Sequence, residues 1–237
     1  MTTHFFREVD RFKRAVLELS ALVEQRLAEA VQALETRDAE LARKVMDGDA
    51  EVDQREVDVE EDCLKILALH QPVAVDLRFV VAVLKINSDL ERIGDLAVNI
   101  AELALFLAEQ KQVSVALPFA PMAARVRVMV AQSLDALVNM NAELAREVCE
   151  MDDVVDTMNR EMYEIVKTQL QDTGAKPNVN ILLHLLSASR HLERIADHAT
   201  NIAEDVIYMI EGRIVRHNVE IYAAGQAIPR YAANVRS

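Results

Sequence analysis

Apolar residues return every three or four positions along most of this chain, the spacing that lays one oily stripe down an α-helix. From about Phe5 to Glu35, the residues Phe12, Val16, Leu19, Val23 and Leu27 form such a stripe and predict a first helix. Asp38 is a good N-cap for a second, which runs to about His70 with Gly48 inside it at some cost in propensity. Pro72 stops that helix or starts the next. A third helix covers roughly Val73 to Gln110. The stretch Gln112 to Pro121, which contains Pro118 and Pro121, breaks the pattern and marks the junction between two halves. A fourth helix follows from about Pro121 to Met140. Asn141 caps a fifth, which continues to about Asp172, and Gly174 and Pro177 make the next turn. A sixth helix, about Asn178 to Glu211, ends at Gly212. No segment sustains the alternation of a strand, so the pattern predicts an all-α protein of six long helices.

The halves match one another. Leu90-Glu91-Arg92-Ile93-Gly94-Asp95 and Asn99-Ile100-Ala101-Glu102 recur as Leu192-Glu193-Arg194-Ile195-Ala196-Asp197 and Asn201-Ile202-Ala203-Glu204, a shift of 102 residues (193 − 91). Ala39-Glu40-Leu41-Ala42-Arg43 recurs as Ala142-Glu143-Leu144-Ala145-Arg146, a shift of 103 (142 − 39). An internal repeat of this kind fixes the architecture. Two tandem three-helix bundles are expected, at 1–112 and 113–212, followed by a loosely held tail at 213–237.

The repeated stretch has a second face. With about 100° of turn per residue, Glu91, Asp95, Asn99 and Glu102 fall within a sector of about 80°. Glu193, Asp197, Asn201 and Glu204 do the same in the second copy. Carboxylates at i and i+4 repel by a few tenths of a kcal/mol, and a cation between them reverses the sign. Asp49 and Asp53 on the second helix align with Asp152 and Asp156 on the fifth. If neighbouring helices pack antiparallel, four carboxylates converge in each half. Such oxygen clusters suit Mg²⁺, Mn²⁺, Ca²⁺ or iron, and zinc with less preference. Glu56 and Glu60 extend the first stripe, where Asn159 and Tyr163 stand in the second, so the first cluster is expected to be the more acidic. Two plainer readings compete: a solvated acidic face, or ion pairs with the adjacent Arg92 and Arg194, which contribute little when exposed.

Composition narrows the field. Hydrophobic residues make up 51% of the 237, enough for a packed core, with aromatics at 4% and no Trp. The net charge of −13 argues against nucleic acid, whose binding needs basic surface. Cys63 and Cys149 match no metal or redox spacing and are expected to be reduced and buried. The chain opens without a signal-peptide pattern. No uncharged apolar run approaches the roughly 20 residues of a membrane span, and a cytoplasmic location is expected. No histidine follows a Glu by three residues, which disfavours a di-iron bundle. His198 is expected to be exposed or paired rather than a ligand. No nucleophile with its base is legible, and no catalytic residue is assigned. Hydrolysis by metal-bound water stays open as a class.

The run Gln71-Pro72-Val73-Ala74-Val75-Asp76-Leu77-Arg78, with Leu84-Lys85-Ile86, Asp89 to Asp95, Asn99 to Glu102 and the closing Glu211-Gly212-Arg213-Ile214-Val215-Arg216-His217, strongly resembles the PhoU family of phosphate-uptake regulators. The resemblance spans about residues 5 to 217. It implies two three-helix bundles, often as a homodimer. It implies a cytoplasmic, non-enzymatic accessory protein of the phosphate ABC transporter and its sensor histidine kinase, one that restrains uptake and the phosphate-starvation response. It also implies multinuclear iron or zinc clusters on Asp49/Asp53, Glu91/Asp95, Asp152/Asp156 and Glu193/Asp197. The alternatives are a metal-binding helical scaffold and a carboxylate-bridged metalloenzyme.

Overall fold

The computed structural model describes residues 3–110, 118–171, 178–213 and 215, with side chains from Arg7 onward. The described chain consists of α1 (Thr3–Thr36), α2 (Ala39–Asp47), α3 (Asp49–His70), α4 (Val75–Ala108), α5 (Phe119–Asn139), α6 (Ala142–Gln171) and α7 (Val179–Glu211). The expected second helix is interrupted at Gly48, which caps both α2 and α3. A side chain there would press on the Arg26 guanidinium, 2.4 Å from the position of its Cβ. The corresponding residue of the second half is Met151, and α6 runs through it unbroken. Most of the expected junction around Gln112, the turn at Gly174 and Pro177, and the tail beyond Val215 lie outside the described residues.

Both halves begin their second helix with the same turn. Arg37 and Met140 adopt positive φ, at 56° and 51°. The next residues then cap: Asp38 Oδ1 accepts from the amides of Glu40 and Leu41, and Asn141 Oδ1 from those of Glu143 and Leu144. Such caps hold the orphan amides of a helix start and each contributes about 1 kcal/mol.

The oily stripes meet in one continuous core. Phe12, Val16, Leu19, Val23 and Leu27 of α1 are buried, as are Leu90, Ile93, Ala97 and Ile100 of α4 and their counterparts Leu192, Ile195, Ala199 and Ile202 of α7. Each fully buried Leu, Ile, Val or Phe contributes roughly 1.5–3 kcal/mol of transfer free energy, so these stripes set the packing. The most extensive contact in the fold is α4 against α7, with α3 packed on α4 and α6 on α7. The two motif helices therefore form the central pair. They run antiparallel: Lys85 meets Asp205 at 3.4 Å, Asp89 meets His198 at 2.8 Å, and Phe106 stacks on His184 with ring centroids 3.9 Å apart.

Candidate functional site

Each motif helix carries its carboxylates to the flank where its own repeat's second helix packs. In the first half α3 and α4 approach closely, because Gly94 has no side chain. A Cβ there would stand 3.1 Å from Val52 Cγ1. Val52 lies between Asp49 and Asp53, and Gly94 between Glu91 and Asp95, so the antiparallel pair brings these four acids to one side. In the second half Ala196 and Val155 stand at the corresponding positions, and both are fully buried. One cross-helix hydrogen bond is also repeated. Asn87 Nδ2 donates to Glu56 Oε1 at 2.8 Å, and Ser189 Oγ donates to Asn159 Oδ1 at 2.5 Å.

The acids feel one another. Burial, followed by the charges of Asp53 and Asp95, pushes Asp49 above the usual carboxylate range. Burial does the same for Glu91, with Asp95, Glu56 and Asp53 adding to it and Arg92 opposing. Glu56 is raised by burial and then by Glu60 and Asp53. In the second half, burial and the charges of Asp197, Asp156, Asp153 and Glu193 push Asp152 up to about 7. Burial and Asp197 raise Glu193, with Arg190 and Arg194 opposing. Burial and Asp156 raise Asp197, against His198, Arg190 and Arg194. The four acids of each half thus lie near enough for their charges to act on one another, with Asp53, Asp95 and Asp197 more open to solvent than Asp152 or Glu193.

The donor set fits a hard cation in kind. Asp49 Oδ1 and Glu193 Oε2 are buried oxygens without a hydrogen-bond partner, and an unsatisfied buried acceptor is costly unless something completes it. Among the described residues no group of three or more of these donors is placed to hold a metal ion. Arg92 and Arg194 are exposed and form no ion pair with the clusters among the described residues. It is Arg190 that donates to Glu193, through a short charge-assisted bond.

Three features escaped the sequence reading. The acidic stripe does not stay on one flank: Asn201 Nδ2 turns away and donates to Asp89 Oδ1 at 3.3 Å, and Glu204 is buried while Glu102 is exposed. His198 is paired, as one of its two expected states had it, but it is buried at 7% exposure rather than exposed. Its partner Asp89 is 109 residues away, which no local spacing reveals. Cys63 is buried, its thiol pushed up to about 12 by burial with help from Asp62 and Glu60, whereas Cys149 is only half-buried. No helix among the described residues is long and apolar enough to cross a membrane.

The family profile described as the PhoU domain matches residues 16–104 and again 119–206. A phosphate-specific transport system accessory protein PhoU homolog of Aquifex aeolicus is 40% identical over 213 residues, covering 90% of this chain and 95% of that protein. The crystal structure of PhoU from Pseudomonas aeruginosa superposes with a TM-score of 0.83 at 36% identity, covering 88% of this chain and 100% of the other. The phosphate transport system regulatory protein PhoU from Streptococcus pneumoniae matches with a TM-score of 0.79 at 29% identity, covering 89% and 99%.

Proposed function

The chain belongs to the PhoU family, and we propose that it is a regulatory accessory protein of a phosphate ABC transporter and of the sensor histidine kinase coupled to it. In this reading it restrains phosphate uptake and keeps the starvation response off when phosphate is plentiful. It acts without catalysis, in the cytoplasm, as a homodimer that docks on its membrane partners. The observation that carries the reading is the twofold PhoU architecture over nearly the whole chain, shared with relatives named as accessory and regulatory proteins of phosphate transport. The absence of a legible nucleophile and base among the sequence motifs agrees with an adaptor.

The two carboxylate clusters are the proposed metal sites: Asp49, Asp53, Glu91 and Asp95 in one half, Asp152, Asp156, Glu193 and Asp197 in the other. Bound iron, zinc or another divalent ion would supply positive charge that cancels the repulsion within each cluster. The chain's own part would be to present four carboxylates from paired helices, α3 with α4 and α6 with α7, to such an ion. The second reading, a metal-binding scaffold with no signalling role, is favoured by the same orphaned oxygens. Deleting the gene separates the two. The regulatory reading expects higher phosphate uptake and starvation-gene output at high phosphate, and unchanged output favours the scaffold.

A further inference from the structure

Between α6 and α7, one turn beyond the carboxylate cluster, lies a groove of about 600 Å³ lined by Asn159, Arg160, Tyr163, Glu164, Leu186 and Arg190. We propose that this groove binds a phosphoryl group, as inorganic phosphate or a small phosphomonoester, through the guanidiniums of Arg160 and Arg190. The proposal deepens the regulatory reading, since it gives the chain a ligand of its own, but its grounds are the groove's charge and shape.

The charge is specific to one repeat. At the corresponding positions of the first half stand Glu56, Val57, Glu60, Glu61, Leu84 and Ser88, which bring three carboxylates and no cation. The second half has two guanidiniums and one carboxylate in their place. The cross-helix hydrogen bond has changed in step: the acceptor Glu56 of the first half is the neutral Asn159 of the second. In an acidic chain of net charge −13, this is a local reversal of sign within two otherwise matching helix pairs.

The donors are available. Arg160 spends Nε on the Asp156 carbonyl and Nη2 on Thr157 Oγ1, and Arg190 spends Nη1 on Glu193. A guanidinium carries five N–H donors in a planar fork that suits phosphoryl oxygens, so each of these two groove-lining residues retains unspent donors. Tyr163 is 54% exposed and adds a hydroxyl, and its ring with Leu186 offers apolar cover for an attached organic group. The raised carboxylates of Glu193 and Asp197 lie close by and oppose an anion. At physiological salt their field is screened only beyond about 8 Å, so weak binding is expected.

The test is an NMR titration of the full chain, observing arginine side-chain signals, with inorganic phosphate and with glycerol phosphate at constant ionic strength. Saturable shifts at Arg160 and Arg190, together with about tenfold weaker binding in Arg160→Gln/Arg190→Gln, support the site. Whichever of the two probes binds more tightly identifies the source of the phosphoryl group. If the double variant loses its helical circular dichroism, Arg160→Gln alone carries the same expectation with a smaller loss, since Arg160 bonds only within its own helix. Three results overturn the proposal: no saturable shift with either probe, equal shifts with chloride, or undiminished binding in the variant. Failure here alongside raised uptake in the deletion strain removes the groove and leaves the regulatory reading standing.

Discussion

His198 Nδ1 and Asp89 Oδ1 stand 2.8 Å apart in the seam where α4 of the first repeat crosses α7 of the second. Asn201 donates to the same oxygen. The repeat equivalent of Asp89 is His191, on the other side of this antiparallel seam. There burial holds the imidazole below its usual range, with Arg194 adding to this and Glu102 of α4 opposing. A duplicated helix thus meets its own copy, and one ancestral position has become an acid in one repeat and a base in the other. With the Lys85–Asp205 pair, this polar lock joins the two bundles across a seam otherwise lined by buried apolar side chains of α4 and α7.

Removing the acid should weaken that joint. Asp89→Ala leaves His198 and Asn201 short of a buried partner and is expected to cost about 1–3 kcal/mol. Asp89→Asn keeps an acceptor and costs less. Urea unfolding checks this: the midpoint falls with an unchanged slope if only stability is altered.

Stability should depend on pH through the acidic clusters. Asp152 titrates near 7 in the folded chain, against an ordinary value of 3.8. The folded state therefore keeps a proton that the unfolded chain has released over that window, and stability falls as pH rises from about 4 to about 7. Asp49, Glu56, Glu91, Glu193 and Asp197 are raised too and act in the same direction. Asp152→Asn should raise the melting temperature at pH 8 in the presence of a chelator and flatten the slope below it. Melting curves at stepped pH decide; a melting temperature that climbs over the same window contradicts the clustering.

A divalent ion should reverse that penalty. An ion present at about a hundred times its Kd stabilises the folded chain by ~2.7 kcal/mol, read as a rise in melting temperature on adding metal to chelated protein. Asp95→Asn with Asp197→Asn touches both clusters, and elemental analysis of the purified variant should show much less bound metal than the parent. Equal metal content in the two proteins would remove these residues as ligands.

Gly212 ends α7 with φ at +71°, in the left-handed region where a Cβ costs roughly 1–2 kcal/mol. That Cβ would also meet Arg78 Nη1 at 2.4 Å. Gly212→Ala should lower the melting temperature accordingly, while Gly48→Ala, at an ordinary φ of −85°, has no backbone strain to add.

The helices were legible because burial along α1, α4 and α7 follows the 3.6-residue period of Phe12 to Leu27, Leu90 to Ile100 and Leu192 to Ile202. The four-acid clusters were legible because both pairs sit at i, i+4 and the halves repeat. Other features had no local signal. Gly48 reads as a tolerated glycine, and only the fold shows α2 ending and α3 beginning there, with the Arg26 guanidinium packed over it. Asp89 and His198 are brought together by the antiparallel crossing of two helices. Asn159 and Tyr163 were visible as lost acids, but the gain of Arg190, four residues from the PhoU-like motif's Arg194, takes its meaning from the groove it faces.

The regulatory account stands or falls on what the chain holds in the cell. Affinity purification of the tagged full-length protein, with and without phosphate in the medium, should retain the phosphate transporter's ATPase and the sensor histidine kinase, in proportions that change with phosphate. Recovery of neither protein under either condition would contradict it.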